Sequence, residues 1–278
     1  MTVCELTEAI VNKSGVKLPI SFPGFEKKIE KTGDELITGN EEAKITGIGV
    51  TFMATADVIR RAAAAGINTI ITHEPTFFTS NDRRDWGGDD PVYQLKQKLI
   101  TETGMNIWRF HDYTHFRQPD LIYEGMVHEL GWKDYEQAGD QKIFNLPGWT
   151  VRQLAEVLKE KLQTSAIRLV GDEKAICNRV CLLVGAMSLG LGRADESLIQ
   201  YMNHDDCDAL IGGEMHEWTT CAYMRDAGML GVNKAMLILG HNRSEEAGMK
   251  YIAEWIRPLC GDIPVSFIEA GDPFQYFY

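Results

Sequence analysis

The sequence lacks long hydrophobic runs and has little positive charge. None of the apolar runs in its 278 residues approaches the roughly 20 residues that span a bilayer, so we expect a protein with no membrane partner. Lysine and arginine total 28 against 40 aspartates and glutamates, which gives a formal net charge of −12. Because this charge repels phosphate backbones and anionic lipid, it argues against nucleic acid or an anionic membrane as the main partner.

The cysteines show no paired pattern, and the first residues do not read as a signal peptide. The six cysteines are scattered without a C-x-x-C pair, and the first 15 residues carry Glu5 and Glu8 but no apolar signal core. We therefore expect a cytoplasmic protein with reduced, buried thiols. The length suits one large domain or two lobes, and 44% hydrophobic with 24% charged residues is typical of a globular chain.

A β-α-β pattern opens the interpretable part of the chain. Residues 44–52 and 67–72 read as strands, and 55–65 as a helix with Thr55 at its N-cap and Gly66 just after its end. Strands joined in this way should be parallel. The same rhythm continues after residue 150. We predict an α/β fold with two lobes. One lobe is formed by 1–135 plus 240–278 and carries most of the candidate metal ligands named below. The other is formed by 136–239.

The strand at 67–72 ends in the ligand-type residues His73 and Glu74, followed by Pro75. Open parallel sheets bind ligands outside the carboxyl ends of their strands, so this corner is a candidate site. In the structural alternative, His73 caps a loop and Glu74 is solvated.

Other strand ends repeat this pattern. None of the histidines falls inside a predicted strand, and four predicted strands are each followed by one: His73, His111 or His115, His216, and His241. His241 and Glu245 are four residues apart, so they converge if a helix begins near Asn242.

A ligand set for metal follows from these positions: His73, Glu74, His115, His241 and Glu245. Three imidazoles and two carboxylates suit divalent Zn, Mn, Fe, Co or Ni. Five ligands exceed the needs of one tetrahedral ion, so we predict two divalent ions per chain.

Four motifs resemble the Nif-three-like family, whose dinuclear-metal members are often labelled homologues of type 2 GTP cyclohydrolase I. They are Ile70-Ile-Thr-His73-Glu74-Pro75-Thr-Phe-Phe78, the segment His111 to His115, Ile211-Gly-Gly-Glu-Met-His216, and Gly240-His241-Asn-Arg-Ser-Glu245. The resemblance covers nearly the whole chain. It implies a dinuclear metal site in the cleft between two α/β lobes, and a homohexamer.

Two residues depart from the family pattern. Glu74 stands where the family has a second histidine, and His115 stands where it has an aspartate. Our hypothesis is a compensated exchange that keeps the number of ligands and their formal charge. Alternatively, Asp112 supplies the missing carboxylate and His115 only supports the site; His111 is a further substitute.

Three weaker features have two interpretations each. Glu214 and His216 are either catalytic acid/base groups or polar loop residues. Gly185 to Gly192 is either a phosphate cradle without the P-loop Lys-Ser/Thr or a set of turn glycines. Residues 80–90 form either a lid or a solvated connection.

The leading function is a metal-dependent hydrolase acting on a small phosphorylated or nucleotide-like substrate. A cyclohydrolase activity is implied only by the family's label. The alternative is a metal-binding regulatory or chaperone-like assembly whose ions are structural or are delivered to a partner.

Overall fold

A computed structural model describes residues 1–21, 28–189 and 198–277, except for the side chains of 187 and 188. The described helices are α1 (Val3–Ser14), α2 (Ala56–Ala64), α3 (Pro91–Thr103), α4 (Asp112–Phe116), α5 (Leu121–Leu130), α6 (Val151–Lys161), α7 (Leu198–His204), α8 (Ala222–Met229) and α9 (His241–Ile256). The strands are β1 (Leu36–Thr38), β2 (Ile48–Thr51), β3 (Thr69–Thr72), β4 (Asn106–Arg109), β5 (Glu136–Gln137), β6 (Asp140–Thr150), β7 (Arg168–Val170), β8 (Ile176–Leu183), β9 (Ala209–Gly212), β10 (Ala235–Ile238) and β11 (Val265–Phe267).

The fold is α/β, as predicted, and the chain divides into two compact units. Among the described residues, the first unit comprises 1–21, 28–122 and 248–271. The second comprises 123–189, 198–247 and 272–277. None of the helices in the described part of the chain has the length and apolar character needed to cross a lipid bilayer.

The first unit contains a five-stranded sheet in the order β1-β4-β3-β2-β11. Strands β4, β3, β2 and β11 run parallel, and β1 is antiparallel to β4. The predicted β-α-β unit is confirmed, because β2 and β3 are parallel and the Thr55 hydroxyl accepts the Val58 N–H at 3.1 Å at the start of α2. Every residue of β2, β3 and β4 is buried, so their carboxyl ends emerge from a rigid core.

The second unit contains a six-stranded sheet in the order β5-β6-β8-β9-β10-β7. Its centre is parallel, since β8 pairs with β9 and β9 with β10 in that sense, whereas β5, β6 and β7 are antiparallel to their neighbours. The hydrophobic pattern does not indicate β6, because Pro147 and Gly148 interrupt it. The register with β8 shifts between Asn145 and Trp149, which accommodates both residues as a bulge.

The six cysteines form no disulfide, and four of them are buried. Cys177 and Cys181 lie on β8 and are at most 1% exposed, as expected for core thiols. Burial raises the pKa of the Cys177 thiol to about 12, so this side chain stays protonated and unreactive at neutral pH.

Candidate metal centre

His73 leaves the end of β3 with its backbone fixed to the neighbouring strand. Its N–H donates to the carbonyl of Phe52 at 3.2 Å, and the next N–H, of Glu74, donates to the same carbonyl at 2.9 Å. The His73 side chain is fully buried, whereas Glu74 is half-buried. One ligand atom of Glu74 lies within 4.8 Å of one of His73, so the predicted pair converges.

His111 immediately precedes the short helix α4, which follows β4, and His115 lies on that helix. Asp34, from a distant loop, holds this turn: one carboxylate oxygen accepts the N–H groups of His111 and Asp112 at 2.9 and 2.8 Å, and the other accepts that of Tyr113 at 3.0 Å. These contacts satisfy the donors at the start of α4 that no local side chain caps. Asp34 therefore fixes the backbone from which both imidazoles project.

The three imidazoles of the first unit form one cluster. His73 stacks on His111, with ring centroids 4.6 Å apart, and meets His115 edge-on at 5.1 Å. One ligand nitrogen of each ring lies within 4.8 Å of those of the other two. A divalent ion with nitrogen ligands at about 2.1 Å fits a cluster of this size.

In each of the three rings, Nδ1 lies at hydrogen-bonding distance from an oxygen atom. His73 Nδ1 lies 3.2 Å from the carbonyl of Phe110, His111 Nδ1 lies 2.8 Å from Asp112, and His115 Nδ1 lies 2.8 Å from Asp120. Carbonyl and carboxylate oxygens accept hydrogen bonds, so we assign the proton of each neutral ring to Nδ1. Nε2 of each ring is then left with its lone pair, which is the form that binds metal.

The Nε2 atoms of His73 and His115 lie only 3.3 Å apart. In the tautomers assigned above both atoms are acceptors, so their contact is favourable only when a proton or a cation lies between them. Burial, and next the neighbouring His73 ring, lower the pKa of His111, which keeps its imidazole neutral. The donor set therefore fits a metal ion.

Asp112, the alternative carboxylate ligand considered in the sequence, lies beside His111. Its carboxylate contacts His111 Nδ1 and accepts the Gly33 N–H at 2.7 Å. Burial alone would raise its pKa, but these two hydrogen bonds outweigh burial and lower it. Asp112 thus supports His111, while His115 turns its Nε2 toward His73.

The second unit forms its own cluster around His241, the first residue of α9. His241 Nε2 lies 3.1 Å from Glu245, and its Nδ1 lies 3.3 Å from Glu214, which follows β9. The side chain of Glu245 is 4% exposed and that of Glu214 is 48% exposed. The helix begins one residue earlier than the position used for the prediction, and the i, i+4 pair converges as expected.

Gly185 packs directly against this pair. Its φ is +50°, and a Cβ built on it would lie 1.9 Å from a carboxylate oxygen of Glu245. Its N–H donates to the Ser244 hydroxyl at 2.9 Å. Close packing therefore explains glycine at this position. This agrees with the interpretation of Gly185 as a structural turn glycine. Gly190 and Gly192 lie outside the described residues.

His216, predicted as an acid/base candidate with Glu214, is exposed and stacks on Trp218, with ring centroids 5.7 Å apart. It precedes a π-helical turn, Glu217–Cys221, which leads into α8. In the structure, therefore, Glu214 contacts His241, whereas the His216 ring stacks on Trp218.

Sequence reasoning missed Asp34 and Asp120. Asp120 follows Pro119 and precedes an apolar helical run, so a cap could be predicted there, and its carboxylate does accept the Ile122 N–H at 2.8 Å. Its contact with His115 depends on the tertiary path of the chain. Asp34 lies in a stretch without periodicity, which gave no signal.

Two units built on mixed sheets, with histidines at the strand ends, define an α/β protein with candidate metal-ligand clusters. The chain belongs to the Duf34/NIF3 (NGG1p interacting factor 3) family, whose model matches residues 25–273. This confirms the family resemblance noted in the sequence.

The relatives below are distant in sequence but cover most or all of the chain. The chain is 24% identical over 254 residues to the GTP cyclohydrolase 1 type 2 homolog of Clostridium perfringens, covering 87% of this chain and 90% of the relative. The Bacillus cereus protein related to NIF3 has a TM-score of 0.72 at 14% identity, with 100% and 99% of the two chains covered. Staphylococcus aureus protein SA1388 has a TM-score of 0.69 at 17% identity, again with 100% and 99% covered. These structures support the fold.

Proposed function

We propose that this protein binds divalent metal and acts as a metal-dependent hydrolase on a small phosphorylated or nucleotide-like substrate. The observation that carries the proposal is the 3.3 Å contact between Nε2 of His73 and Nε2 of His115. Both rings have Nδ1 held by an oxygen, so each directs a lone pair at the other. A proton or a cation between them would make this contact stable, and a metal ion is the occupant that we propose.

Each unit supplies candidate ligands. In the first unit, His73, Glu74 and His115 are the proposed ligands; His111 converges with the two histidines, and Glu74 lies close to His73. In the second unit, His241 and Glu245 offer an imidazole and a nearly buried carboxylate. Such mixed nitrogen and oxygen donors suit Zn, Mn, Fe, Co or Ni. The prediction that these residues hold two ions per chain stays a prediction.

The bound ion would supply Lewis acidity for hydrolysis. The protein's own groups would orient the ligands and move protons. Glu214 is half-exposed and contacts His241, so its carboxylate is our candidate proton acceptor. His216 is exposed on the same loop and is a second candidate. The pairing of Glu214 with a ligand histidine makes it the stronger of the two.

Two features support an enzyme. The His111 and His115 side chains are 37% and 21% exposed, so a small molecule could reach the imidazoles of the first unit. The Clostridium relative is named for a cyclohydrolase acting on GTP, and this name supports a nucleotide-like substrate.

We further propose a homo-oligomer, with a hexamer as the state that the resemblance implies.

One observation favours the alternative, a metal-binding regulatory or chaperone-like assembly. The three converging imidazoles, with one further ligand, would fill all four positions of a tetrahedral ion, as in structural zinc sites. A closed shell of this kind would hold metal without activating water.

Elemental analysis of the purified protein tests both proposals. We expect a stoichiometric transition metal in the native chain, with losses in His115→Ala and Glu245→Ala. His204→Ala is the matched control, because His204 is an exposed histidine at the end of α7.

The metal-loaded protein would then be screened for hydrolysis of nucleotides and small phosphate esters. Turnover that disappears in Glu214→Gln supports the enzyme. Bound metal without turnover on any of these compounds supports the regulatory or chaperone-like assembly. A native chain that takes up no metal even after reconstitution overturns both.

A further inference from the structure

Two of the three imidazoles of the first unit have a carboxylate partner, and Asp120, the partner of His115, is more buried than Asp112, the partner of His111. Asp112 is adjacent in sequence to His111, whereas Asp120 lies five residues beyond His115 and outside α4. The Asp120 side chain is only 12% exposed. A carboxylate in such a position needs compensating hydrogen bonds, so its partners indicate what it is there to hold.

Each Asp120 oxygen has a defined partner. One oxygen lies 2.8 Å from His115 Nδ1, and the other accepts the N–H of Ile122 at 2.8 Å, at the start of α5. The bond to Ile122 fixes the carboxylate to the helix, so it cannot follow His115 if the ring rotates. The orientation of the ring is therefore determined by α5 as well as by α4.

This arrangement gives a physical account of the departure at position 115. A histidine in place of a ligand aspartate removes a negative charge from the ligand itself. Asp120 keeps a carboxylate one hydrogen bond away, on the far nitrogen of the ring. A carboxylate that accepts Nδ1–H fixes the tautomer and makes Nε2 a stronger donor to metal.

We propose that Asp120 is a positioning residue of the metal centre: it holds His115 with Nε2 directed at His73 and thereby makes this histidine an effective ligand. The inference rests on the proposed metal binding. Asp120 would act through His115 and would not itself contact the ion.

The test compares Co²⁺ and Zn²⁺ affinities of the native chain and Asp120→Asn, by chelator competition, together with the visible spectrum of the Co²⁺ form. Asparagine has one acceptor oxygen in place of two and no charge, so it keeps the side-chain volume but loses one of the two bonds. We expect the dissociation constant to rise about 10- to 100-fold, with a changed Co²⁺ spectrum.

Asp208→Asn is the matched control for a purely structural effect. Asp208 accepts two backbone N–H groups, of Asn178 and Arg179 at 2.8 and 3.0 Å, in the second unit. It should change the melting temperature without changing the metal affinity or the Co²⁺ spectrum.

A double-mutant cycle with His115→Ala shows whether Asp120 acts through the ring. We expect Asp120→Asn to cost affinity in the native chain and nothing further in the His115→Ala background. Native affinity in Asp120→Asn, or an equal loss in both backgrounds, would overturn the inference and leave the proposed function intact. A native chain that binds neither metal overturns both, so the two failures are distinguishable.

Discussion

The two candidate clusters are built in opposite ways. In the first unit three imidazoles converge. Their Nδ1 atoms lie at hydrogen-bonding distance from oxygens of Phe110, Asp112 and Asp120. In the second unit a single imidazole, His241, lies between two carboxylates. The first cluster is nitrogen-rich and supported by side-chain and backbone acceptors, whereas the second is oxygen-rich and packed against glycine.

This contrast bears on the metals that each cluster prefers. Imidazole donors favour Zn, Ni, Co and Fe, and carboxylates extend the range toward Mn and other harder ions. Orientation also depends on different interactions: hydrogen bonds set the rings of the first cluster, while close backbone packing sets the second. Substitutions should therefore damage the two clusters through different mechanisms.

The largest effect should come from Gly185→Ala in the second unit. The new methyl group would occupy the position of the Glu245 carboxylate, and the φ of +50° is unfavourable for alanine. We expect the free energy of unfolding, measured by urea denaturation, to fall by about 3 kcal/mol.

Gly231→Ala is the control, because Gly231 has a similar φ of +75° and nothing lies within 4 Å of its Cβ position. It should cost about 1 kcal/mol. Equal losses in the two variants would show that packing against Glu245 contributes nothing.

The next effect concerns the loop after His73 and Glu74 in the first unit. Lys96 is buried on α3, and its ammonium donates to the Thr76 carbonyl at 2.5 Å. Burial lowers the pKa of Lys96 to about 8 from an ordinary 10.5, although Asp82 opposes the shift. Between pH 8 and 10.5 the unfolded chain binds more protons than the folded chain, so stability should rise with pH. The gain is at most about 3 kcal/mol.

Lys96→Met should abolish this rise in unfolding curves recorded across that pH range. Lys98→Met is the control, since Lys98 lies on the same helix with a side chain that is 68% exposed, and it should retain the rise. If the stability of Lys96→Met changes with pH as that of the native chain does, the pKa of Lys96 is not lowered by its burial.

The smallest effect separates the two carboxylates beside His241. Glu245→Gln should lower the free energy of unfolding by about 1–2 kcal/mol, because its side chain is 4% exposed. Glu214→Gln should change it by less than about 0.5 kcal/mol, since its side chain is half-exposed. Thermal denaturation of both variants at one pH would measure the difference, and the reverse order would contradict the assigned packing.

The sequence allowed good predictions where local signals were strong. The Thr55 cap and Gly66 bound α2 as expected. The i, i+4 spacing of His241 and Glu245 was sufficient to predict their convergence, because helix geometry alone determines it.

Contacts between distant segments were beyond such reasoning. Asp34 reaches α4 from more than 70 positions away, and no periodicity marks its loop. The identity of the Nδ1 partners likewise depends on how the chain turns after β4. Strand β6 was missed for a local reason, since its Pro147 and Gly148 are residues that usually end strands.

Each of the two sheets ends in very short strands. The outermost strands β1 and β11 of one sheet, and β7 of the other, have three residues each, and β5 has two. An exposed edge recruits other chains through its unpaired N–H and C=O groups, and an edge this short offers few of them. These four edge strands therefore offer little template for strand addition by another chain.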